Sequence, residues 1–184
     1  QSVFTQVTAF EEFVRAVEGV PRDAVYLMSA LARRAYERQI SVQDVRAAAR
    51  DWYSRDKTTV LRSDPSLNNL LHWVITEVIA HRRSRAFLLK SNQRYTLIET
   101  LFDSRLLHLL KKNISSNDDP GTRYDVYKLD YGCYVDLITT SRAPSGLLPF
   151  DGTDTDFVEV PPDDYRSIRR AILDFGKFDQ AQME

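Results

Sequence analysis

The sequence is poor in the residues that build metal centres and disulfides. Its 184 residues include one cysteine and three histidines. An internal disulfide is therefore excluded, and the clustered Cys and His ligands of a structural zinc site are missing. The histidines, His72, His81 and His108, are far apart, two on a predicted helix and one on a predicted strand. Cys133 could act as a nucleophile only if folding brought a histidine to it, which the sequence does not indicate.

Phosphate-binding loops are missing as well. The sequence contains neither G-x-x-x-x-G-K-[ST] nor G-x-G-x-x-G, so we expect no nucleotide hydrolysis by this chain alone. Asp130 and Asp136 flank "YGCYV", but pairs of Asp residues are too common to indicate hydrolysis. No apolar run approaches about 18 residues, and no signal peptide is visible. These features predict a cytoplasmic protein without a membrane partner. Gln1 in place of Met indicates a piece of a longer chain or a processed one.

Charge is distributed unevenly along the chain. Residues 1–63 carry 10 basic and 8 acidic side chains, residues 64–113 carry 8 and 4, and residues 114–184 carry 7 and 14. A basic middle followed by an acidic end is typical of a nucleic-acid contact beside a solvating tail. Ordinary solvated surfaces are the equally simple alternative.

The first 63 residues have the apolar spacing of three helices. Thr8 is a predicted N-cap for the first helix, which ends at Gly19. Pro21 suits the first turn of the second helix. Ser41, followed three residues later by Asp44, predicts the start of the third, which covers "ISVQDVRAAARDWYSRDK" to Lys57.

Residues 64–140 alternate between helical and extended patterns. Asp64-Pro65 marks a break before a strongly amphipathic helix. "RAFLLK" predicts a strand, and "NQRYTLIETLFDSR" predicts a helix with Tyr95, Ile98, Leu101 and Phe102 facing inward. Residues 106–113 and 124–130 are predicted to pair as a hairpin, although the leucines of 106–110 also fit a helical face.

The end of the chain is rich in Pro, Gly and Asp. "GCYVDLITT" predicts a short closing helix, and "APSGLLPFDGTDTD" a loop or extended arm. "FVEV" is a candidate strand. "PPDDYRSIRRAILDFGKF" predicts a helix that begins near Pro162, with Asp163 and Asp164 favouring its start, and ends at Gly176.

The segment "LIETLFDSRLLHLLKKN…RYDVYKLD" resembles the recognition helix and wing of winged-helix proteins. The resemblance departs from the family in having one helix between the short strand and the hairpin, where two are usual. Asp118 and Asp119 in the wing would repel phosphates. The implied contacts are with DNA, mainly through phosphates, or with a protein. The candidate DNA-binding residues are Lys90, Gln93, Arg94, Lys111, Lys112 and Arg123.

The segment "EGVPRDAVYLMSALARRAYERQISVQDVRAAARDWY" resembles the lid subdomain of AAA+ ATPases, in the initiator branch related to the origin recognition complex. There "G-x-x-R" opens one helix and "I-x-x-x-D-V-x-x-A" begins the next. The residues that match these patterns are Gly19, Arg22, Ile40, Asp44, Val45 and Ala48. The resemblance implies that Arg22 is a nucleotide sensor. An arginine at a helix N-terminus adds its charge to the free N–H groups, and together they favour a phosphate.

Together the two resemblances imply a mainly α fold with a small β component: a three-helix lid-like subdomain (1–63), a winged-helix domain (64–140) and an acidic arm with a helix (141–184). The chain would be the C-terminal regulatory part of an AAA+ ATPase. ATP or ADP, with Mg²⁺, is expected only in the full-length protein. The implied partners are the missing N-terminal ATPase core, DNA, and a protein or second copy of the chain. The alternatives are a free-standing winged-helix DNA-binding regulator and a structural protein-interaction module.

Overall fold

A computed structural model describes residues 2–81, 86–115, 120–139 and 172–181. Within these ranges the chain is mainly helical with one small antiparallel sheet, as the sequence predicts. The helices are α1 (Val7–Val17), α2 (Pro21–Arg34), α3 (Val42–Trp52), α4 (Thr59–Ser63), α5 (Pro65–Val74), α6 (Thr96–Asp103), α7 (Tyr131–Thr139) and α8 (Gly176–Ala181); π-helical stretches cover Tyr53–Lys57 and Ile75–His81; the strands are β1 (Ala86–Lys90), β2 (Leu107–Ser115) and β3 (Arg123–Leu129). No helix in these ranges combines the length and the apolar character needed to cross a membrane.

The chain divides into two compact units. The first comprises Gln1–Thr59 with Tyr131–Ser141, and the second comprises Val60–Asp130 with Arg142–Glu184. The predicted boundaries at residues 63 and 140 differ from these, because α7 packs with α1 and α3 of the first unit. The division into lid, winged helix and arm stays a prediction.

The first unit is built on α1, α2 and α3, which break where the sequence predicts. Glu18 ends α1 in a left-handed conformation (φ 54°), and Gly19 follows at φ +76°, a conformation that glycine adopts without strain. Pro21 opens α2. The core between these helices and α7 is formed by Ala16, Leu27, Leu31, Ala35, Ile40, Val45, Ala48, Ala49, Tyr131 and Val135.

The predicted cap of α1 is wrong. The helix begins at Val7, one residue before Thr8, and its N-cap Gln6 makes no side-chain hydrogen bond. A parallel bridge between Phe4 and Ile40 fixes the preceding chain instead. The chain before α1 is therefore positioned by backbone hydrogen bonds to Ile40, such as that of the Thr5 N–H to the Ile40 carbonyl at 3.0 Å.

The predicted start of α3 is confirmed. Ser41 Oγ accepts a hydrogen bond from the Asp44 N–H at 3.2 Å, and Asp44 Oδ2 accepts one from the Ser41 N–H at 2.9 Å. This reciprocal pair is a capping box, worth about 1 kcal/mol. The helix was predicted to run on to Lys57, but after Trp52 it widens into the π-helical stretch Tyr53–Lys57.

In the second unit, the predicted break before α5 is confirmed. Asp64 Oδ1 accepts hydrogen bonds from the N–H groups of Ser66 (2.9 Å) and Leu67 (3.2 Å), which caps the helix. The predicted apolar face is buried at Leu67, Leu70, Leu71, Val74 and Val78.

The sheet has the strand order β1-β3-β2, and both pairs are antiparallel. The predicted hairpin is therefore confirmed, and the helical alternative for residues 106–113 is wrong. Register shifts interrupt the β2–β3 pairing on either side of Lys111, and Asn113 adopts φ 55° there, as in a β-bulge. Asp118 and Asp119 lie outside the described residues.

Two further predictions need correction. Phe102 was expected to face inward but is 41% exposed, whereas Ile98 and Leu101 are buried. Gly176 was expected to end the last helix but begins α8. Before it, Ile172 forms a parallel bridge with Leu88 of β1. The predicted start of that helix, at Pro162, Asp163 and Asp164, and the candidate strand "FVEV" lie outside the described residues.

Candidate functional site

Arg22 lies in the first turn of α2 and its side chain is exposed. The neighbouring Asp23 is buried and pairs with Lys57 instead. Within the described ranges, Arg22 makes no hydrogen bond and no ion pair. Its guanidinium lies at the positive end of the helix dipole, a position that favours an anion and costs the helix some stability. The backbone there is largely satisfied, because Pro21 has no N–H and the N–H groups of Asp23 and Ala24 donate to the Val20 carbonyl at 3.0 and 3.1 Å.

Asp23 belongs to the interior of the first unit. Its Oδ2 lies 3.5 Å from Lys57 Nζ, and the two side chains are 1% and 3% exposed. The ammonium also lies 4.3 Å from the centroid of the Trp52 ring, a cation–π contact. The π-helical stretch Tyr53–Lys57 carries Lys57 into this position. This ion pair therefore ties α2 to the segment that follows α3.

Four of the residues that match the lid pattern have folding roles. Ile40, Val45 and Ala48 are buried in the first core. Asp44 closes the capping box and also accepts two bonds from Arg38, at 2.6 Å from Nη1 and 2.7 Å from Nη2. The hydrogen bonds from Arg38 lower the pKa of Asp44; burial opposes this, and the bonds from Ser41 reinforce it. The net result is a pKa well below its usual range.

Asp44→Asn is expected to destabilise the chain by about 1–2 kcal/mol at pH 7, because a charge-assisted capping interaction is lost. Since the folded-state pKa lies below the unfolded value of about 3.9, the contribution is complete above pH 5 and is lost as pH falls. The difference between wild type and variant should therefore shrink by about 1 kcal/mol from pH 7 to pH 3. Urea unfolding followed by circular dichroism at both pH values measures it.

Asp51→Asn is the matched control for this experiment. Asp51 lies on the same helix and pairs with Arg34 at 3.3 Å, but both side chains are substantially exposed. We expect a change below about 0.5 kcal/mol. A pH-independent cost of Asp44→Asn would contradict the assignment of its stabilising role to the ionised carboxylate.

The structure brings four of the six predicted DNA-contact residues to one end of the sheet. Lys90 ends β1 opposite Tyr124, and Gln93 and Arg94 follow in the exposed loop before α6. The N–H of the intervening Ser91 donates to the Arg123 carbonyl at 2.8 Å. Arg123 is itself held by β2, since its Nη1 donates to Ser115 Oγ at 3.1 Å.

The other two residues lie further along β2. Lys111 pairs in register with Val126, and Lys112 follows it in the irregular part of the strand. Both side chains are exposed. Because β3 separates β1 from β2, these lysines form a second basic position on the sheet rather than an extension of the first.

Asp125 of β3 connects the loop after β1 with the bulge of β2 through two hydrogen bonds. Its Oδ1 accepts a hydrogen bond from Ser91 Oγ at 2.6 Å and another from the Asn113 N–H at 2.9 Å. One carboxylate on the central strand thus fixes both the loop that carries Arg94 and the bulge after Lys112. Sequence analysis missed this residue, since nothing local distinguishes it from a solvated Asp.

The sequence analysis also did not predict a cleft in the first unit. It has a volume of about 260 Å³, and Tyr26 and Trp52 stack inside it with centroids 4.3 Å apart. Two polar contacts lie within the lining: Tyr26 Oη donates to Asp56 at 2.8 Å, which raises the pKa of the phenol, and Arg34 pairs with Asp51 at 3.3 Å. The cleft is lined by Tyr26, Ala30, Arg33, Arg34, Ala48, Asp51, Trp52, Arg55 and Asp56.

The second unit contains a buried histidine–aspartate pair. His108 Nε2 lies 3.2 Å from Asp130 Oδ2, and the two residues are 7% and 2% exposed. The pair joins β2 to the end of β3. Such burial leaves little access for a substrate, so the geometry fits a structural hydrogen bond. Cys133 is buried as well.

Comparison with known proteins finds no relative of this chain. No protein-family profile, no curated protein and no solved structure matches this sequence. The class of protein that the fold defines is therefore a mainly helical chain of two compact units, the second of which contains a three-stranded antiparallel sheet.

Proposed function

We propose that this chain is the C-terminal regulatory part of an AAA+ ATPase. The first unit would sense the nucleotide through Arg22, and the second would contact DNA through a winged-helix arrangement. ATP or ADP and Mg²⁺ would be held by the ATPase core, to which this chain contributes the arginine. In this proposal the chain has no catalytic turnover of its own.

The observation that carries the proposal is the topology of the second unit. Its order is helix, strand, helix, hairpin, and the central strand of the sheet is the last in sequence. In the proposed winged-helix arrangement α6 would be the recognition helix, and the segment between β2 and β3 would be the wing. The exposed cations Lys90 and Arg94 beside α6 are in keeping with contacts to phosphates.

The lid assignment is supported by the position of Arg22. It follows a glycine with positive φ and a proline at the first helical position, which together fix where α2 begins. The side chain is exposed and does not participate in the packing of the unit. A residue with no folding role at a helix N-terminus is free to serve a phosphate supplied by another domain.

Arg22→Ala is the direct test of the sensor role. In a protein that joins this chain to its ATPase core, we expect ATP turnover to fall about 100-fold, as for removal of one positioned donor from a transition state. The melting temperature of this chain should change by less than about 2 °C, because an exposed side chain away from the core contributes under about 0.5 kcal/mol. Steady-state ATPase assays and thermal melts measure the two effects.

Arg33→Ala is the matched control, since Arg33 is an exposed arginine on the same helix. It should leave ATP turnover unchanged. Unchanged turnover in Arg22→Ala, with thermal stability intact, would remove the sensor assignment. Stoichiometric ATP binding by this chain alone, measured by calorimetry, would overturn the proposal that the nucleotide site requires the core.

A protein-interaction module is the second candidate function. It is favoured by the packing of residues 172–178 against Trp73, Leu88 and Tyr95 of the second unit. In this function the winged-helix-like unit would dock a protein rather than DNA, and its basic residues would serve solubility or steering.

A further inference from the structure

A groove on the second unit runs along the edge of β1 that β3 does not cover. We define this groove by Trp73 of α5, Leu88 of β1 and Tyr95 before α6. Residues 172–178, "ILDFGKF", lie in it and are called the docking segment. Ile172 forms a parallel bridge with Leu88, and the Leu173 N–H donates to the Leu88 carbonyl at 3.0 Å. The segment thus pairs with the edge of β1 through a single bridge.

Two aromatic anchors follow the strand contact. The Phe175 ring stacks on Tyr95, with centroids 4.2 Å apart and planes at 27°, and its centroid lies 5.5 Å from that of Trp73. The Phe178 ring lies 5.4 Å from Trp73. Both phenylalanines are 7% exposed. The groove therefore recognises a pair of phenylalanines three residues apart by ring contacts.

A local turn presets the spacing of the anchors. Asp174 Oδ1 accepts a hydrogen bond from the Gly176 N–H at 3.1 Å. The Asp174 carbonyl accepts one from the Lys177 N–H at 3.2 Å. Side-chain-to-backbone bonds of this kind stabilise turns without tertiary contacts. The turn places Phe175 and Phe178 against the same indole, so part of the bound conformation is encoded within the peptide itself.

These contacts have the form of a recognition site for linear peptides. A strand added to an exposed sheet edge supplies main-chain hydrogen bonds, and pockets beside the edge supply side-chain specificity. An uncovered edge would otherwise present free N–H and C=O groups. The docking segment supplies both a main-chain hydrogen bond and side chains that pack beside the edge. It is connected to α7 through residues 140–171.

We propose that this groove is a peptide-binding site, and that the docking segment is its ligand within the same chain. The partner it fits is a segment of another protein with the same chemistry: two apolar residues in extended conformation, then Asp-Phe, then a second Phe three residues after the first. Such a partner displaces the docking segment. The proposal does not depend on nucleotide sensing or on DNA contact.

The test uses the full chain and a fluorescein-labelled synthetic peptide of residues 170–181 as the probe. In wild type the groove is occupied by a competitor on the same chain, whose effective concentration is high. Phe175→Ala with Phe178→Ala removes that competitor. We expect saturable binding of the probe to this double variant by fluorescence anisotropy, and binding to wild type at least about tenfold weaker.

Two controls establish where the probe binds. A probe in which both phenylalanines are alanine should not bind. Adding Trp73→Ala to the double variant should abolish binding, whereas adding Phe102→Ala should not, because Phe102 is exposed on α6 and outside the groove. Far-ultraviolet circular dichroism checks that each variant keeps its helices.

A second route avoids substitutions in the groove or the segment. A protease site inserted after Ser145 allows the connection to be cut after folding, so that docking becomes bimolecular and the segment dissociates on dilution. The cut chain should then bind the probe as the double variant does. Failure of the probe to bind both the folded double variant and the cut chain would overturn the proposal, and so would equal binding to intact wild type and cut chain.

Discussion

Asp23→Ala is expected to lower the free energy of unfolding by about 3–5 kcal/mol, because it removes one charge of a buried ion pair and leaves the other charge buried. Asp23 and Lys57 are almost fully buried, and their charged atoms are 3.5 Å apart. Without the carboxylate, the ammonium would retain the face of Trp52 but lose the negative charge of Asp23. Urea unfolding of wild type and variant, followed by circular dichroism, measures the difference.

The double variant Asp23→Ala with Lys57→Met separates the effect of the remaining buried ammonium from the effect of lost packing. Replacing both partners with apolar groups should recover most of the loss, because the pair itself contributes little net stability once its desolvation is counted. Arg22→Ala, one residue away and exposed, is the matched control and should change stability by less than about 0.5 kcal/mol. A loss below 1 kcal/mol for Asp23→Ala would show that the pair is not isolated from water.

Combined replacement of Arg94, Lys111 and Lys112 with glutamine is expected to weaken DNA binding to all sequences alike. Each neutralised phosphate contributes about 0.9 to the slope of log affinity against log salt. Three contacts would therefore account for a slope of about 2.7, or roughly a 40-fold loss of affinity between 50 and 200 mM salt. The triple variant should have a flatter slope by that amount. Gel-shift titrations at two salt concentrations measure it.

The matched control is a variant of the first unit that loses the same number of positive charges. Arg22, Arg33 and Arg55 are exposed there, and their replacement with glutamine should leave the slope nearly unchanged. Salt-independent binding, or no binding at low salt, would favour the protein-interaction function instead. Loss of binding in both triple variants would indicate a general charge effect rather than a site.

The acidic tail should act in the opposite direction. Removing the chain after residue 140 would also remove the docking segment, which packs on Trp73 and Tyr95. Replacement of Asp151, Asp154 and Asp156 with asparagine removes charge without that loss. This variant should bind DNA more tightly than wild type, most clearly at low salt, where charges are least screened.

The sequence by itself determined where several elements begin, because those signals are local. Ser41 with Asp44 and Asp64 with Pro65 mark helix starts through hydrogen bonds between residues two or three apart. The hairpin follows from alternation in residues 124–130 and the Pro-Gly turn before them. The run of leucines in residues 106–113 fits the spacing of a helix as well as that of a strand. Pairing with β3 decided in favour of the strand.

Only the tertiary structure decided which charged and aromatic residues meet. Asp23 and Lys57 are 34 positions apart, and their pairing depends on how α2 packs beside the π-helical stretch after α3. Gly176 begins a helix rather than ending one because the preceding residues pair with β1, which ends any continuous helical pattern. Trp73, Tyr95 and Phe175 come together from three separate segments. Such contacts depend on the path of the whole chain, because burial and strand pairing outweigh local propensity wherever the two conflict.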